Sequence, residues 1–160
     1  MLAIKILAFT LLIPGTVTVL IPYCIVTWDR PLAMPELSLL TVAGGMLVIV
    51  GFATYASCAW NFGRHGRGTP APIDPPKTLV VRGLYRFTRN PMYIGVLSVL
   101  IGESALFRSA PLVAFATVMF LCFQSFIVLY EEPKLHSLFG ASYDEYRRTV
   151  PRWIGPRRPK

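Results

Sequence analysis

Long apolar segments broken by short polar stretches are the feature that most restricts how this chain can fold. Residues 6–26, 37–60 and 110–130 are each long enough to cross a bilayer, because about 20 helical residues span its hydrocarbon core. Hydrophobic residues make up 54% of the 160-residue chain, which exceeds what a soluble domain of this length needs. The sequence therefore predicts an integral membrane protein whose spans are helices.

A fourth apolar segment, residues 92–107, is shorter and contains Glu103. A carboxyl group is costly in lipid unless it faces a partner or the membrane interface. Only Arg108 and Ser109 separate this segment from the next one, and such a short connection predicts two antiparallel helices. We expect an all-α integral membrane fold with about four transmembrane helices, the last two forming a tight hairpin.

Basic residues are concentrated in two polar regions, the connector at 61–91 and the tail at 131–160, and the chain has a net charge of +8. The positive-inside rule places the connector and both termini in the cytoplasm. Topology and contact with anionic lipid headgroups explain this charge better than nucleic acid does, because the chain lacks a basic soluble face. We therefore expect membrane lipids, and no nucleic acid, among its partners.

The cysteines give no indication of a metal site. Cys24, Cys58 and Cys122 lie in or beside apolar segments and form neither a CxxC pair nor a mixed His/Cys pattern. Such spacing is typical of ordinary buried cysteines rather than of metal ligands. We expect no metal.

The tail predicts a further helix after a break at Gly140. Tyr143, Tyr146 and Val150 recur at i, i+3 and i+7, which places them on one helical face. We expect the helix that carries them to lie along the membrane surface.

Two polar features stand at the ends of apolar segments and suggest one site. The first is the run LVVRGLYRFTRNPMYIG at 79–95, with its arginines, two tyrosines and an Asn-Pro break. The second is the acidic pair Glu131-Glu132, which weakens anchoring of a membrane helix unless it faces a cation or a cavity. Aromatic faces, backbone groups freed by proline and a carboxylate suit an adenine-bearing sulfonium. They also suit a nucleotide, although neither GxGxxG nor GxxxxGK[ST] is present.

The runs TLVVRGLYRFTRNPMYIG and YEEPKLHSLFGASYDEYRRTVPRW resemble the isoprenylcysteine carboxyl methyltransferase and phospholipid methyltransferase superfamily. The resemblance covers residues 68–153 and implies a multi-pass membrane enzyme that uses S-adenosylmethionine. Residues 1–60 resemble only generic spans. We therefore expect a two-helix membrane scaffold at 1–60 and a methyltransferase-like cofactor-binding region at 61–160, all in one domain.

The resemblance also implies site residues. Those expected to bind the cofactor are Lys77, Thr78, Leu79, Val80, Tyr85, Asn90, Pro91, Met92, Tyr93 and Glu131. We expect catalytic contributions from Glu132, as a base for an amine acceptor, and from Arg89, as a contact for an acceptor carboxylate or phosphate. Asn90 and Ile127 stand where the eukaryotic isoprenylcysteine enzymes carry His and a substrate-contacting Arg, so the resemblance does not fix the acceptor.

The function expected is methyl transfer from S-adenosylmethionine to a lipophilic or membrane-borne acceptor, either an isoprenylcysteine-like carboxylate or a phospholipid amine. One alternative is a sterol-type membrane reductase that uses NADPH, whose extra phosphate requires additional basic contacts. A second alternative is a small non-catalytic membrane scaffold. Binding of S-adenosylmethionine, of NADPH or of neither cofactor distinguishes the three readings.

Overall fold

The part of the chain that the computed structural model describes, residues 2–29, 36–61, 64 and 78–156, is helical and contains no strand. The described helices are α1 (Leu2–Gly15), α2 (Ile21–Asp29), α3 (Leu39–Asn61), α4 (Pro91–Leu106), α5 (Ala110–Phe126), α6 (Glu132–Phe139) and α7 (Ala141–Thr149). A π-helical turn, Thr16–Leu20, joins α1 to α2, and a second, Ile127–Glu131, joins α5 to α6. The all-α prediction is confirmed.

Within the described ranges, three helical stretches are long and apolar enough to cross a membrane: Leu7–Trp28, Leu39–Asn61 and Ala110–Phe139. The fourth predicted segment forms α4, which is apolar but shorter than these three. Residues 107–109 connect α4 to α5, and the two helices pack against each other. The structure is thus that of a membrane protein with three candidate spans and one shorter apolar helix.

The tightest packing lies between α3 and α4, where glycines on the two helices meet. A Cβ atom added to Gly51 would lie 2.6 Å from the carbonyl oxygen of Gly95, and one added to Gly102 would lie 2.6 Å from that of Gly44. No Cβ atom tolerates such a distance, so the two backbones touch at these points. This close approach fixes α4, and α4 carries the Asn-Pro element at its first turn.

The small residues of α3 lie on two different faces of the helix. Ala53 and Ser57 are exposed, whereas Tyr55 and Cys58 are buried. Gly44, Gly51 and Cys58 are buried at seven-residue spacing, and this stripe points away from Ala53 and Ser57.

The helix predicted to follow Gly140 is present as α7, but its apolar face contacts protein rather than lipid. Tyr143, Tyr146 and Val150 are almost fully buried and form one cluster. The residues that cover this cluster are Leu79, Leu135 and Phe139. Helical periodicity reveals an apolar face but not what covers it, and here the connector and α6 cover it.

Candidate functional site

The start of α4 is built from Asn90 and Pro91. Pro91 is the first residue of the helix, where a missing N–H costs nothing, and it is fully buried. The side-chain Nδ2 of Asn90 donates to the carbonyl oxygen of Arg152 at 3.0 Å, and its backbone N–H donates to Thr88 Oγ1 at 3.3 Å. The Asn90 side chain is therefore held in one orientation at the start of the helix.

Glu131 lies opposite this helix start, at the last position of the π-helical turn that follows α5. Tyr93 Oη donates to Glu131 Oε2 at 3.0 Å, and the Tyr93 ring packs against Phe123 with centroids 4.8 Å apart. Single π-helical turns within α-helices are frequent at functional sites. The turn brings this carboxylate beside the first turn of α4.

A cavity of about 230 Å³ lies between these elements. Eight of the residues predicted from the sequence line it: Leu79, Val80, Tyr85, Arg89, Asn90, Met92, Tyr93 and Glu131. Lys134 and Tyr146 add polar groups that the sequence did not predict, and α1 and α5 add an apolar wall. The connector, α4 and the acidic pair thus meet around one space.

The remaining predicted residues are placed differently. Pro91 lies buried behind the lining, and Thr78 is exposed and outside it. Lys77 lies outside the described residues. Glu132 is buried on the other side of the helix from the cavity.

Glu132 joins two arginines in a group that we call the arginine clamp, composed of Arg89, Glu132 and Arg152. Arg89 Nη1 donates to Glu132 Oε1 at 2.8 Å, while Arg152 donates through Nε to Oε1 at 2.8 Å and through Nη2 to Oε2 at 3.0 Å. The Arg89 and Glu132 side chains are only 10% exposed. Both oxygens of Glu132 therefore accept hydrogen bonds from guanidinium groups, the strong, charge-assisted kind.

The clamp holds the C-terminal strap, residues 150–153, against the connector. The backbone N–H of Arg89 donates to the carbonyl oxygen of Pro151 at 3.0 Å, and Trp153 Nε1 donates to Gln124 Oε1 at 2.8 Å. The hydrogen bonds to Glu132 raise the pKa of Arg152, so its charge is permanent. The strap thus ties the connector to α5 behind the cavity.

Two tyrosines outside the apolar spans are kept neutral. Burial raises the pKa of Tyr85 well above its ordinary value, and burial likewise raises the pKa of Tyr146. Tyr146 Oη donates to the backbone carbonyl of Tyr85 at 2.7 Å, which locks the Gly83–Arg86 turn onto α7. Both phenols therefore enter the site as neutral groups at physiological pH.

Comparison with known proteins decides the family. Residues 39–142 match the family model described as phospholipid methyltransferase. The chain belongs to the phospholipid methyltransferase family. The matched region includes α3, α4, α5 and α6, and it excludes α1, α2 and the strap.

A curated relative supports the same family. The chain is 35% identical over 77 residues to the protein-S-isoprenylcysteine O-methyltransferase of Schizosaccharomyces pombe. The aligned region covers 48% of this chain but only 32% of that protein. No solved structure matches the chain. The predicted resemblance to the isoprenylcysteine carboxyl methyltransferase and phospholipid methyltransferase superfamily is confirmed.

Several residues in or behind the cavity were not predicted from the sequence. Lys134 follows Glu131 by three residues, so the two share a helical face, and this spacing could have identified it. Arg152 is far from Glu132 in the chain, and no local pattern pairs them. The lining residues of α1 are apolar and sit in an ordinary span, so they carry no signal at all.

Proposed function

We propose that the protein is an S-adenosylmethionine-dependent methyltransferase that acts on a lipophilic acceptor at the membrane interface. The observation that carries this proposal is the difference between two adjacent acids. Glu132 accepts from two guanidinium groups, whereas Glu131 faces the cavity and, among the described residues, forms no ion pair. A partly buried carboxylate without a cation favours a cationic ligand, because charge in a poorly solvated site needs compensation.

S-adenosylmethionine fits this site chemically. Its ammonium group matches the Glu131 carboxylate, which Tyr93 orients, and its nucleoside matches an apolar and aromatic wall. That wall is made by Leu79, Val80, Tyr85 and Met92. The Nδ2 atom of Asn90 is used by the strap, which leaves its Oδ1 atom to accept from a ligand. Contacts from Lys77, Thr78 and Pro91 remain proposals from the family resemblance.

When bound, this cofactor supplies a methyl group activated by a sulfonium. The residues then have to orient donor and acceptor and exclude water. Good orientation can lower the activation barrier by roughly 7–11 kcal/mol, and we expect positioning in this site to supply several kcal/mol of that reduction. Glu131 binds the donor's cationic end, and Tyr93 holds Glu131 in place through its hydroxyl group. The low-dielectric interface strengthens this interaction relative to water.

Arg89 and Glu132, expected from the sequence to be catalytic, receive a positioning role in this proposal. Both Glu132 oxygens are engaged by guanidinium groups, and the residue does not line the cavity, so it is poorly placed to take a proton from an acceptor. Arg89 lines the cavity, but its Nε and Nη1 atoms are bound to Val150 and Glu132. The pair fixes the connector and the strap relative to α6.

The topology we propose has four membrane-crossing segments, with α4 and α5 as a helical hairpin and both termini in the cytoplasm. The short connection at 107–109 supports the hairpin, since a link of this length favours antiparallel neighbours. The connector at 61–91 then lies on the cytoplasmic side, where the cavity takes up its cofactor. Residues 1–60 serve as scaffold to the cofactor-binding region at 61–160 in a single domain.

Calorimetric titration of S-adenosylmethionine into detergent-purified protein tests the proposal. We expect saturable binding that Glu131→Ala weakens by about ten- to a hundredfold, the equivalent of about 1.5–3 kcal/mol for a hydrogen bond to a charged group. Glu145→Ala is the matched control, because Glu145 is an exposed acid on α7 that pairs with Arg148. Equal losses in the two variants, or no binding by folded wild-type protein, would refute the proposal. Binding of NADPH instead would favour the reductase.

A further inference from the structure

A groove separate from the cofactor cavity lies between α4 and α5, and we call it the α4–α5 groove. Leu97, Ile101 and Ala105 line it at four-residue spacing, which puts them on one face of α4. Val113 and Thr117 line it from α5 at the same spacing. Its volume of about 640 Å³ lies within the roughly 300–1,000 Å³ typical of ligand pockets. No residue in the described part of the chain lines both the groove and the cavity.

The interior of the α4–α5 groove suits hydrocarbon. Its two hydroxyl-bearing residues away from the mouth bond within their own helices. Ser104 Oγ donates to the carbonyl oxygen of Leu100 at 2.7 Å, and Thr117 Oγ1 donates to that of Val113 at 2.9 Å. The groove therefore asks for few hydrogen bonds from a ligand, and its walls favour apolar contact.

The groove has the length of one membrane leaflet. Leu97 and Ala105 are about 12 Å apart along the axis of α4 at the helical rise of 1.5 Å per residue. Half of the hydrocarbon core of a bilayer is about 15 Å thick. Ile101 and Val113 are 53% and 55% exposed, so the groove is open to the surrounding lipid. One acyl chain that enters from the membrane interface therefore matches the groove.

Arg108 lies at the mouth of the groove. Its Nη2 atom donates to Ser38 Oγ at 2.9 Å, and its Nη1 atom lies 3.8 Å from Glu36 Oε2. The Glu36 side chain is 87% exposed, and so exposed an ion pair contributes little. A guanidinium group carries five N–H donors in a planar fork that matches phosphate. The head of a phospholipid therefore has a charged partner at the mouth.

The backbone at Arg108 gives an independent reason to assign a role to its side chain. Its φ is +47°, in the left-handed region where a side chain is strained. The other described residues with positive φ, Gly83 and Gly140, are glycines. Arg108 takes the position after a helix that glycine usually occupies. An arginine in this conformation points to a function for its guanidinium group.

We propose that the α4–α5 groove binds a phospholipid, with one acyl chain along Leu97 and Ile101 and the phosphate on Arg108. The 16 residues of α4 separate this mouth from the Asn90 cap by about 24 Å. In the topology proposed above, the lipid belongs to the leaflet opposite the cofactor cavity, so it is a bound component of the fold rather than the methyl acceptor. The inference is independent of the proposed function.

Native mass spectrometry of delipidated protein in detergent tests this assignment. The probes are phosphatidylglycerol and a diacylglycerol with the same two chains, which lacks the phosphate. We expect one phosphatidylglycerol to bind saturably and the diacylglycerol to bind about tenfold more weakly, the order expected when a hydrogen bond to a charged group is lost. Arg108→Gln should weaken phosphatidylglycerol binding by the same factor. Arg147→Gln, which removes an exposed arginine of α7, should leave it unchanged.

A second pair of variants tests the place of the acyl chain. Thr117→Trp fills the groove and should also weaken phosphatidylglycerol binding about tenfold. Ala114→Trp is its control, because Ala114 is an exposed residue of α5 that lines neither the groove nor the cavity. If Arg108→Gln does not fold, Arg108→Gly replaces it, since glycine adopts a positive φ without strain. Arg108→Gly should keep the wild-type unfolding midpoint in lipid-free detergent and lose the rise that phosphatidylglycerol gives to wild-type protein.

Three results would overturn the inference. The first is equal affinity for the two lipids, and the second is an equal effect of the two variants in either matched pair. The third is a dimer of wild-type protein that Thr117→Trp dissociates, because a second copy of the chain would then cover the groove. Affinity for S-adenosylmethionine should not change in any folded variant. Wild-type protein that binds phosphatidylglycerol as expected but does not bind S-adenosylmethionine would refute only the proposed function.

Discussion

The glycine contacts between α3 and α4 predict opposite effects for two neighbouring substitutions. A Cβ atom on Gly51 meets the carbonyl oxygen of Gly95 at 2.6 Å and the backbone nitrogen of Val99 at 2.8 Å. Backbone atoms cannot rotate away as a side chain can, so α4 has to move. A Cβ atom on Gly45 meets nothing within 4 Å. Gly51→Ala should therefore destabilise the protein, and Gly45→Ala should not.

The magnitudes follow from overpacking and helix propensity. Overpacking of a tight contact costs about 1–3 kcal/mol, and we take the upper part of this range because the clash is with backbone. Replacing glycine in a helix by alanine stabilises the folded state by about 0.5–1 kcal/mol. Gly51→Ala should thus lose about 1–2 kcal/mol net. Gly45→Ala should gain about 0.5–1 kcal/mol.

Unfolding in mixed detergent micelles, followed by circular dichroism, measures both free energies. The double variant Gly51→Ala/Gly95→Ala should lose less stability than the two single variants added together. The two glycines touch, so one shift of α4 away from α3 relieves both clashes. Cofactor affinity should fall in Gly51→Ala as well, because α4 carries Tyr93 and begins at the Asn90 cap. The reasoning is refuted if the two single variants shift stability in the same direction.

Two further predictions concern the buried polar groups around the strap. Glu132→Ala leaves the guanidinium groups of Arg89 and Arg152 without their carboxylate and should lower the free energy of unfolding by about 3–5 kcal/mol, as breaking a buried pair does. Thermal unfolding measures this loss, with Glu145→Ala as the control. Equal unfolding midpoints for the Glu132→Ala and Glu145→Ala variants would contradict the role of the arginine clamp. Tyr146→Phe should cost about 1 kcal/mol at neutral pH through the lost hydrogen bond. Because burial raises the pKa of Tyr146, its contribution is complete below its ordinary value of 10.0 and is lost as pH rises above that value. Tyr146→Phe should therefore flatten the alkaline fall in stability, and an unchanged slope would show that Tyr146 does not titrate there.

The helices were predictable because their signals are local. Apolar length alone placed the first and second spans to within two residues of those observed. It also placed the start of the last span correctly at Ala110, but this helical stretch continues to Phe139, nine residues beyond the predicted end. Gly140, with its φ of +51°, ends α6 where the sequence indicated. The orientation of α7 was not predictable in the same way. Tyr143 and Val150 define an apolar face, but lipid and protein both favour such a face, and only the fold shows that Leu79 covers it.

The site was predictable only where the family motifs provided a signal. The connector residues and Glu131 come from those motifs, and the structure places most of them around one cavity. Nothing in α1 distinguishes Phe9, which lines the cavity, from the exposed Leu12, since both are apolar residues in a span. Their difference arises when α1 docks through Thr10 onto Tyr55, a contact between residues 45 positions apart.

The adjacent acids show most clearly where sequence reasoning stops. Glu131 and Glu132 have the same chemistry and the same neighbours in the chain, so any preference between them came from the resemblance alone. Successive residues of a helix point in directions roughly 100° apart. One carboxylate therefore reaches Tyr93 and the cavity, and the other reaches Arg89 and Arg152. A strap that returns from the C-terminus supplies the second cation to Glu132 and none to Glu131. Among the described residues Glu131 forms no ion pair, and this difference from Glu132, rather than either acid's identity, is what makes it the candidate to bind a cationic cofactor.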